Sequence, residues 1–442
     1  MLASARNWIS DVFYWLGSHR LALAVVVILV AAAGVGAYLI ADDAEPGGTA
    51  IGTPPAPQVV VPDAPVAEET DDLGFPAFAT KNTTRVAGAD PVADAAGVAL
   101  AVHPSTGGVE GPNAVTLVDA DDWAGAVAAA SLTAGPVGAP LLVTDSGELP
   151  ELTRSALRAL DPQGSADTAG RQAFVVGDAA KPEDLESLEL GGAGPAAEAA
   201  EIDRLRERLA DEPAHILLAS SEEPAYAMPA AAWAARSGDP VLFVERDRIP
   251  KPTAKALRGH QEVPVYALGP ESVISADVMK QVKRLFPTAE RVGAGDPVSN
   301  SIDFARYASG NFGWNINDPG HGLVIASADQ PLAGAVAAPL SASGSWGPLL
   351  VSTDDDEVPA ALRGYLLDLK PGYENDPTRA VYNHVWLIGD TAALSADFQA
   401  QVDELAEVAP VSSGTGGESV VPPPGTPESS PPGSGTKKDE RK

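Results

Sequence analysis

Acidic side chains hold most of the positions where chemistry could be done. Asp119, Asp121 and Asp122 stand in "VDADDW", directly after an apolar run. Carboxylates grouped at the end of a strand are the donor set a divalent cation takes. A second acidic run, "TDDDEVP" at 353–359, follows another apolar run. Both also suit a helix start, since acids in a first turn meet the positive end of the helix dipole and Ser or Asp caps it. The corresponding stretches "ASSEE" and "SADQ" keep no constant set of acids, which favours the helix start. The six histidines, His19, His103, His215, His260, His321 and His384, lie far apart without HxH or HExxH spacing. Cysteine is absent, which removes thiolate metal sites, thiol nucleophiles and disulfides together. No GxSxG, GxGxxG or GK[ST] pattern occurs, so no catalytic set, cofactor or metal is expected. Two cations recur in matching contexts, Arg85 and Arg291. Each suits pairing with the acids four or five residues later, or contact with an anionic sugar polymer. The formal net charge of −31 repels phosphate backbones and argues against nucleic acid.

The elements that must position these residues come in three copies. "APLLVTDSGELP" at 139–150, "DPVLFVERDRIP" at 239–250 and "GPLLVSTDDDEVP" at 347–359 share one plan: Pro, apolar residues, polar turn, closing Pro. A lead segment reads "RVAGADPV" from Arg85 and "RVGAGDPV" from Arg291; between them "LGGAGPAA" from Leu190 lacks the Arg. Apolar runs begin at Ala114, His215 and Gly322. "AGAVAA" occupies 124–129 and again 333–338, with "AYAMPAAAWAA" from Ala225 in the middle copy. Closing strands with a Gly turn stand at 174–180, 265–275 and 386–395, and a helix-like segment is expected after each. The order predicted for each copy is lead segment, helix, strand, helix, strand, helix, strand, helix. Such alternation predicts an α/β fold of small parallel sheets with right-handed crossovers. The copies are bounded as 82–187, 188–287 and 288–408. The small-residue helices are apolar on most faces and are expected to be buried.

The remaining chain reads differently. Residues 21–40, "LALAVVVILVAAAGVGAYLI", carry no charge. At about 1.5 Å per residue they match a bilayer core of about 30 Å, so one transmembrane helix is expected. Arg6 and Arg20 precede it, and no Lys or Arg occurs from 41 to 80. That asymmetry puts residues 1–20 in the cytoplasm and the repeats outside, on the cell surface. Residues 41–81 read as an acidic, Pro- and Gly-rich spacer, and 409–442 as a Pro-, Ser- and Gly-rich disordered tail. "NTT" at 82–84 fits an N-glycosylation acceptor in an exposed position.

Several motifs together resemble the bacterial and archaeal cell wall-binding type 2 repeat family. They are the lead segments "RVAGAD" and "RVGAGD", the helices at 121–135 and 330–344, the runs "PLLVT", "PVLFV" and "PLLVS", and Gly177, Gly269 and Gly389. The resemblance implies three tandem Rossmann-like repeats packed around a pseudo-threefold axis. It also implies noncovalent attachment of a membrane-anchored surface protein to a cell-wall or envelope polysaccharide. Polymer contacts would then fall at Arg85, Arg291, Leu141, Leu142, Leu242, Leu349 and Leu350, although a core strand accounts for these leucines without a ligand. After the lead Asp the family continues Arg-Tyr-x-Thr-Ala, where this chain has "DPVADAA" and "DPVSNSI". A small-ligand binding or sensor module outside the cytoplasm is the competing expectation, and a diverged hydrolase the third.

Overall fold

The computed structural model describes residues 78–411 apart from 105–110, 294 and 375. The span expected at 21–40, most of the spacer and the tail from 412 lie outside the described residues. Among the described residues no helix is long and apolar enough to cross a membrane.

The chain opens with β1 (Phe78–Ala79), β2 (Thr83–Val86), α1 (Pro91–Val102), β3 (Val115–Asp119), α2 (Trp123–Ala129), β4 (Leu141–Thr144), α3 (Glu151–Leu160) and β5 (Ala173–Val176). It continues through β6 (Ser187–Leu190), α4 (Pro195–Leu209), β7 (Ile216–Ser220), α5 (Pro224–Ser237), β8 (Val241–Val244), α6 (Lys251–Gly259), β9 (Val265–Leu268) and α7 (Ala276–Leu285). The last stretch is β10 (Glu290–Val292), α8 (Pro297–Arg306), β11 (Gly322–Ser327), α9 (Pro331–Val336), α10 (Ala338–Ala342), β12 (Leu349–Ser352), α11 (Ala360–Asp368), β13 (Gly372–Tyr373), β14 (His384–Ile388), α12 (Ala396–Ala406) and β15 (Ala409–Pro410).

Three sheets share one strand order: β4-β3-β5-β6, β8-β7-β9-β10 and β12-β11-β14-β2, the last extended by β1. Pairing within each order is parallel, and only β1 runs antiparallel. The lead segments, expected merely to precede a helix, are edge strands of the sheet before them. β6 completes the first sheet and β10 the second. β2 closes the circle by pairing with β14 of the third, Thr83 opposite Val385 and Val86 opposite Ile388. The helix after each lead strand then packs on the next sheet: α1 against β4, α4 against β8 and α8 against β12. Every sheet is therefore tied covalently to its neighbour by a lead strand and helix.

The strands are apolar on both faces because both faces are covered, as parallel sheets require. In β4, Leu141 and Val143 join the large central core, while Leu142 turns to a second cluster with Leu117, Ala156 and Leu160. The small-residue helices are buried as expected. They also pack on one another: α2 and α9 touch, and α5 touches α2, α9 and α10. Only short side chains permit this approach. A Cβ on Gly334 of α9 would lie 2.2 Å from Cε of Met228 on α5.

Local chemistry sets the helix starts. Asp90, Asp296, Ser275 and Ser395 cap α1, α8, α7 and α12 by accepting from the backbone N–H of Ala93, Ser299, Val278 and Phe398. The closing prolines of the repeated stretch, Pro150, Pro250 and Pro359, occupy the cap positions of α3, α6 and α11 without a side-chain bond. The acidic run at 353–359 thus caps no helix. Asp354 instead folds its own turn, accepting from the N–H of Asp356 and Glu357. A helix follows the closing strand in the second and third copies only. In the first, 178–186 is a loop, because the chain must reach β6 at once and Pro182 interrupts any helical run.

The ends of the ring are also tied by side chains. Asn82 donates from its backbone N to Asp403 Oδ1 at 2.7 Å and from Nδ2 to Asp403 O at 3.0 Å. Asn82 is 4% exposed, so the expected exposed glycosylation acceptor is a buried, hydrogen-bonded amide. Overpacking the helix contact is expected to cost about 1–3 kcal/mol. Denaturant unfolding of Gly334→Leu should show that loss, and Gly364→Leu, at a position with open space around it, should not.

Candidate functional site

Ligands of open parallel sheets sit outside the carboxyl ends of the strands. In this protein those ends meet at three junctions, each formed by a Gly turn after a closing strand, the start of a small-residue helix and the first turn of the next lead helix. Gly177, Gly269 and Gly389 hold positive φ values of 58°, 113° and 95°, which glycine adopts without strain.

Arg85 and Arg291 build two of these turns. Arg85 is 1% exposed. Its Nη1 donates to the carbonyls of Gly389 and Asp390, at 2.9 and 2.8 Å, its Nη2 to Ser395 O at 3.3 Å, and its Nε to Gln399 Oε1 at 2.9 Å. Arg291 donates to Gly269 O at 2.6 Å and Ile274 O at 2.5 Å. Both pin a lead strand to the Gly turn and to the residue at or just before the cap of the closing helix. Neither pairs with the acids four or five residues on, which cap α1 and α8 instead. Burial pushes the Arg85 guanidinium down to about 10, still charged at neutral pH. In the first sheet the equivalent position, opposite Val175, is Glu189. It is exposed and pairs with Lys181 at 2.8 Å. That copy has no closing helix for an arginine to hold, which explains the missing lead Arg.

Leu141, Leu142, Leu242, Leu349 and Leu350 lie in β4, β8 and β12 and are at most 2% exposed. They are core residues with no surface to offer. Asp122 caps α2 by accepting from Gly125 N at 2.7 Å, and Asp119 Oδ1 accepts from Asp121 N at 3.2 Å. Among the described residues no group of three or more acids or histidines could hold a metal ion. Two buried histidines have acid partners: His215 Nδ1 lies 3.0 Å from Asp239 Oδ2, and His260 Nε2 lies 2.9 Å from Asp203 Oδ1. The other ring nitrogen of His215 meets the Asn311 amide, so this pair orders the core.

The sequence reading missed the polar residue four places into each lead helix: Asp94, Glu198 and Asn300, each three after the opening Pro. That spacing was visible in all three copies. Asp94 accepts from Gly88 N at 2.9 Å. Glu198 meets Asp122 at the first junction. A Cβ on Gly177 would be 3.5 Å from Glu198 Oε1 and 3.3 Å from Asp122 Oδ2. Burial, with Asp122 and Asp178 beside it, pushes the Glu198 carboxyl up to about 7. Burial also pushes Asp122 up, against the opposing hydrogen bond from Gly125. On the third sheet the carboxyl ends open into two polar clefts, of about 370 and 240 Å³. Thr353 and Asp354 line both, Arg363 the larger, and Ser327, Asp329 and Gln330 the smaller.

Residues 190–279 match the family model for cell wall binding domain 2. This stretch is therefore similar to a cell wall binding domain of type 2. It begins on β6, in the first sheet, and ends in α7, so the sequence unit of the domain straddles two sheets. Among solved structures, the chain is similar to Cwp6 from Clostridium difficile, at 17% identity and a TM-score of 0.59, covering 74% of this chain and 48% of that one. It is also similar to Cwp8 from Clostridium difficile, at 18% identity and a TM-score of 0.57, covering 74% and 52%. This chain therefore spans about half the length of those proteins, and at such identity the likeness is one of fold. No curated protein matches.

Two outcomes follow. Arg85→Ala removes the donor to three carbonyls and is expected to cost about 3 kcal/mol in denaturant unfolding. Arg85→Lys should not restore it, because an ammonium cannot reproduce the planar fork. The second concerns pH. Folding raises the Glu198 pKa from its ordinary 4.5 to about 7, so the folded state binds the extra proton. The protonated form's full contribution is present below about pH 4.5 and lost as pH rises through 7. Glu198→Gln should abolish that slope and stabilise the protein at pH 8 by about 1–3 kcal/mol, read from unfolding midpoints at pH 5 and 8.

Proposed function

We propose that the body formed by residues 78–411 binds noncovalently to a polysaccharide of the cell wall or envelope. The observation that carries this is the match of residues 190–279 to cell wall binding domain 2. The three sheets of one strand order support three tandem repeats of that domain around a pseudo-threefold axis. The uncharged span at 21–40 and the acidic spacer support a single-pass membrane anchor that presents the body outside the cell.

On this reading the polymer meets the surface at the junctions and sheet edges. The buried arginines and leucines hold that surface in shape from behind. With a net charge of −31, the chain suits neutral stretches of a wall polymer better than polyanionic ones. The full chain is expected to sediment with purified cell walls, with retention little changed between low and high salt. Absence of sedimentation at both salt concentrations would remove the wall-binding reading. Retention that collapses at high salt would replace it with simple charge attraction.

A further inference from the structure

The outer helices of the second sheet depart from the charge of the rest of the molecule. From Lys251 to Leu285 stand six cations, Lys251, Lys255, Arg258, Lys280, Lys283 and Arg284, against three acids, Glu262, Glu271 and Asp277. The whole chain has 29 Lys and Arg against 60 Asp and Glu. The corresponding helices of the third sheet, α11 and α12, carry Arg363 against Asp368, Asp397, Asp403 and Glu404. The same pair of helices thus folds with the opposite charge, and the fold does not account for the cations on α6 and α7. Only Lys280 has a salt-bridge partner, Asp277 at 2.9 Å. Among the described residues the other five are exposed and have none.

Helix phase sends these cations outward. α6 buries Thr253 and Leu257, and α7 buries Val278, Met279 and Val282. At about 100° per residue, Lys251, Lys255 and Arg258 fall on the opposite side of α6, and Lys280, Lys283 and Arg284 on the opposite side of α7. The two helices begin side by side. Arg246, in the turn that leads into α6, accepts on its carbonyl from Ser275 N at 2.8 Å, and its Nε donates to Ser272 O at 3.0 Å. Ser275 is the cap of α7. In the order β8-β7-β9-β10, the steps from β8 to β9 and from β9 to β10 run in one direction. Right-handed crossovers therefore put α6 and α7 on one face of the sheet, running the same way. Packed helices lie about 10 Å apart, and Lys251 to Arg258 covers about 10 Å along α6, so the cations cap two neighbouring crests.

We propose that the outer face of α6 and α7 docks on an anionic lipid surface, its cations meeting the headgroup phosphates. A plane touches both crests at once, whereas a polymer strand along one helix leaves the other unused. Lys251, Lys255, Lys280 and Lys283 are compact charges that follow a surface potential and need no fixed pair of acceptors. With a net charge of −31 the rest of the chain is repelled by such a surface, so the cations also decide which side of the body faces it. The proposal rests on the anchored reading of residues 21–40 for the source of the lipid. The spacer then keeps the body near the bilayer, since the 37 residues from 41 to 77 reach at most about 130 Å when fully extended.

The chain has no cysteine, so Gln281→Cys, exposed on α7, gives a single site for a fluorescent label. The labelled full chain is floated with phosphatidylcholine vesicles, with or without phosphatidylglycerol, and energy transfer to a headgroup acceptor is read. Transfer should rise with phosphatidylglycerol and fall back at high salt. Lys251→Glu, Lys255→Glu, Lys283→Glu and Arg284→Glu together should weaken docking about tenfold or more. Arg154→Glu with Arg158→Glu, on α3, should leave it unchanged. Flotation with both vesicles and equal transfer on both would refute the face and leave the anchor standing. Flotation only with phosphatidylglycerol, lost at high salt and in the fourfold variant, would sink the anchor and keep the face. If transfer ignores phosphatidylglycerol while the fourfold variant loses a salt-sensitive retention on purified cell walls, a wall polyanion is the occupant and the lipid proposal is overturned.

Discussion

The parallel pairing of each lead strand with the sheet before it is the constraint on which the molecule depends. One element of about four residues leaves its own helix layer and completes a neighbour. Done in turn around the body, this converts three small sheets into a closed ring. The ring has one weak place, because β2 and β14 are joined through nearly the whole chain rather than through a short connection. Side chains concentrate there. Arg85 reaches four acceptors, and Asp403 receives two bonds from Asn82 and one from Thr80 at 2.5 Å.

That constraint reassigns the residues the sequence singled out. Arg85 and Arg291 suited pairing with the acids four or five residues on, or contact with an anionic polymer, yet they donate mainly to carbonyls of the Gly turns and the closing helix starts. A buried carbonyl without a donor is costly, so a guanidinium that satisfies several at once stabilises the turn and the helix start together. The leucine runs became core strands because both faces of each sheet are covered. What these residues hold in place is the surface around the junctions: two polar clefts on the third sheet and an acid pair at the first junction.

Much of this was legible beforehand, and for a physical reason. The period of strand and helix and the buried small-residue helices are local patterns, and "AGAVAA" at 124–129 and 333–338 recurs in the helices α2 and α9 that touch. Which sheet a lead strand joins is a long-range choice, and nothing within "RVAGADPV" states it. The burial of Asn82 follows from that choice, as does the role of Arg85. The loop at 178–186 was readable from Pro182 and the nearness of β6, but the pattern of the other two copies suggested a helix.

The family match at residues 190–279 suggests a place at the cell surface. The ring itself is the central claim, and hydrogen exchange tests it most directly, because amides opening only with global unfolding share one free energy. The amides of Val385, Leu387 and Gly389 in and after β14 donate across to β2 or its flank, and β2 returns bonds through its own amides. If the ring closes as described, Thr84 and Val86, whose amides face β14, exchange with the same opening free energy as the core amides of β11, and Arg85→Ala lowers both together. Fast exchange of β2 and β14 while β11 stays protected would show an open chain of sheets and contradict the account.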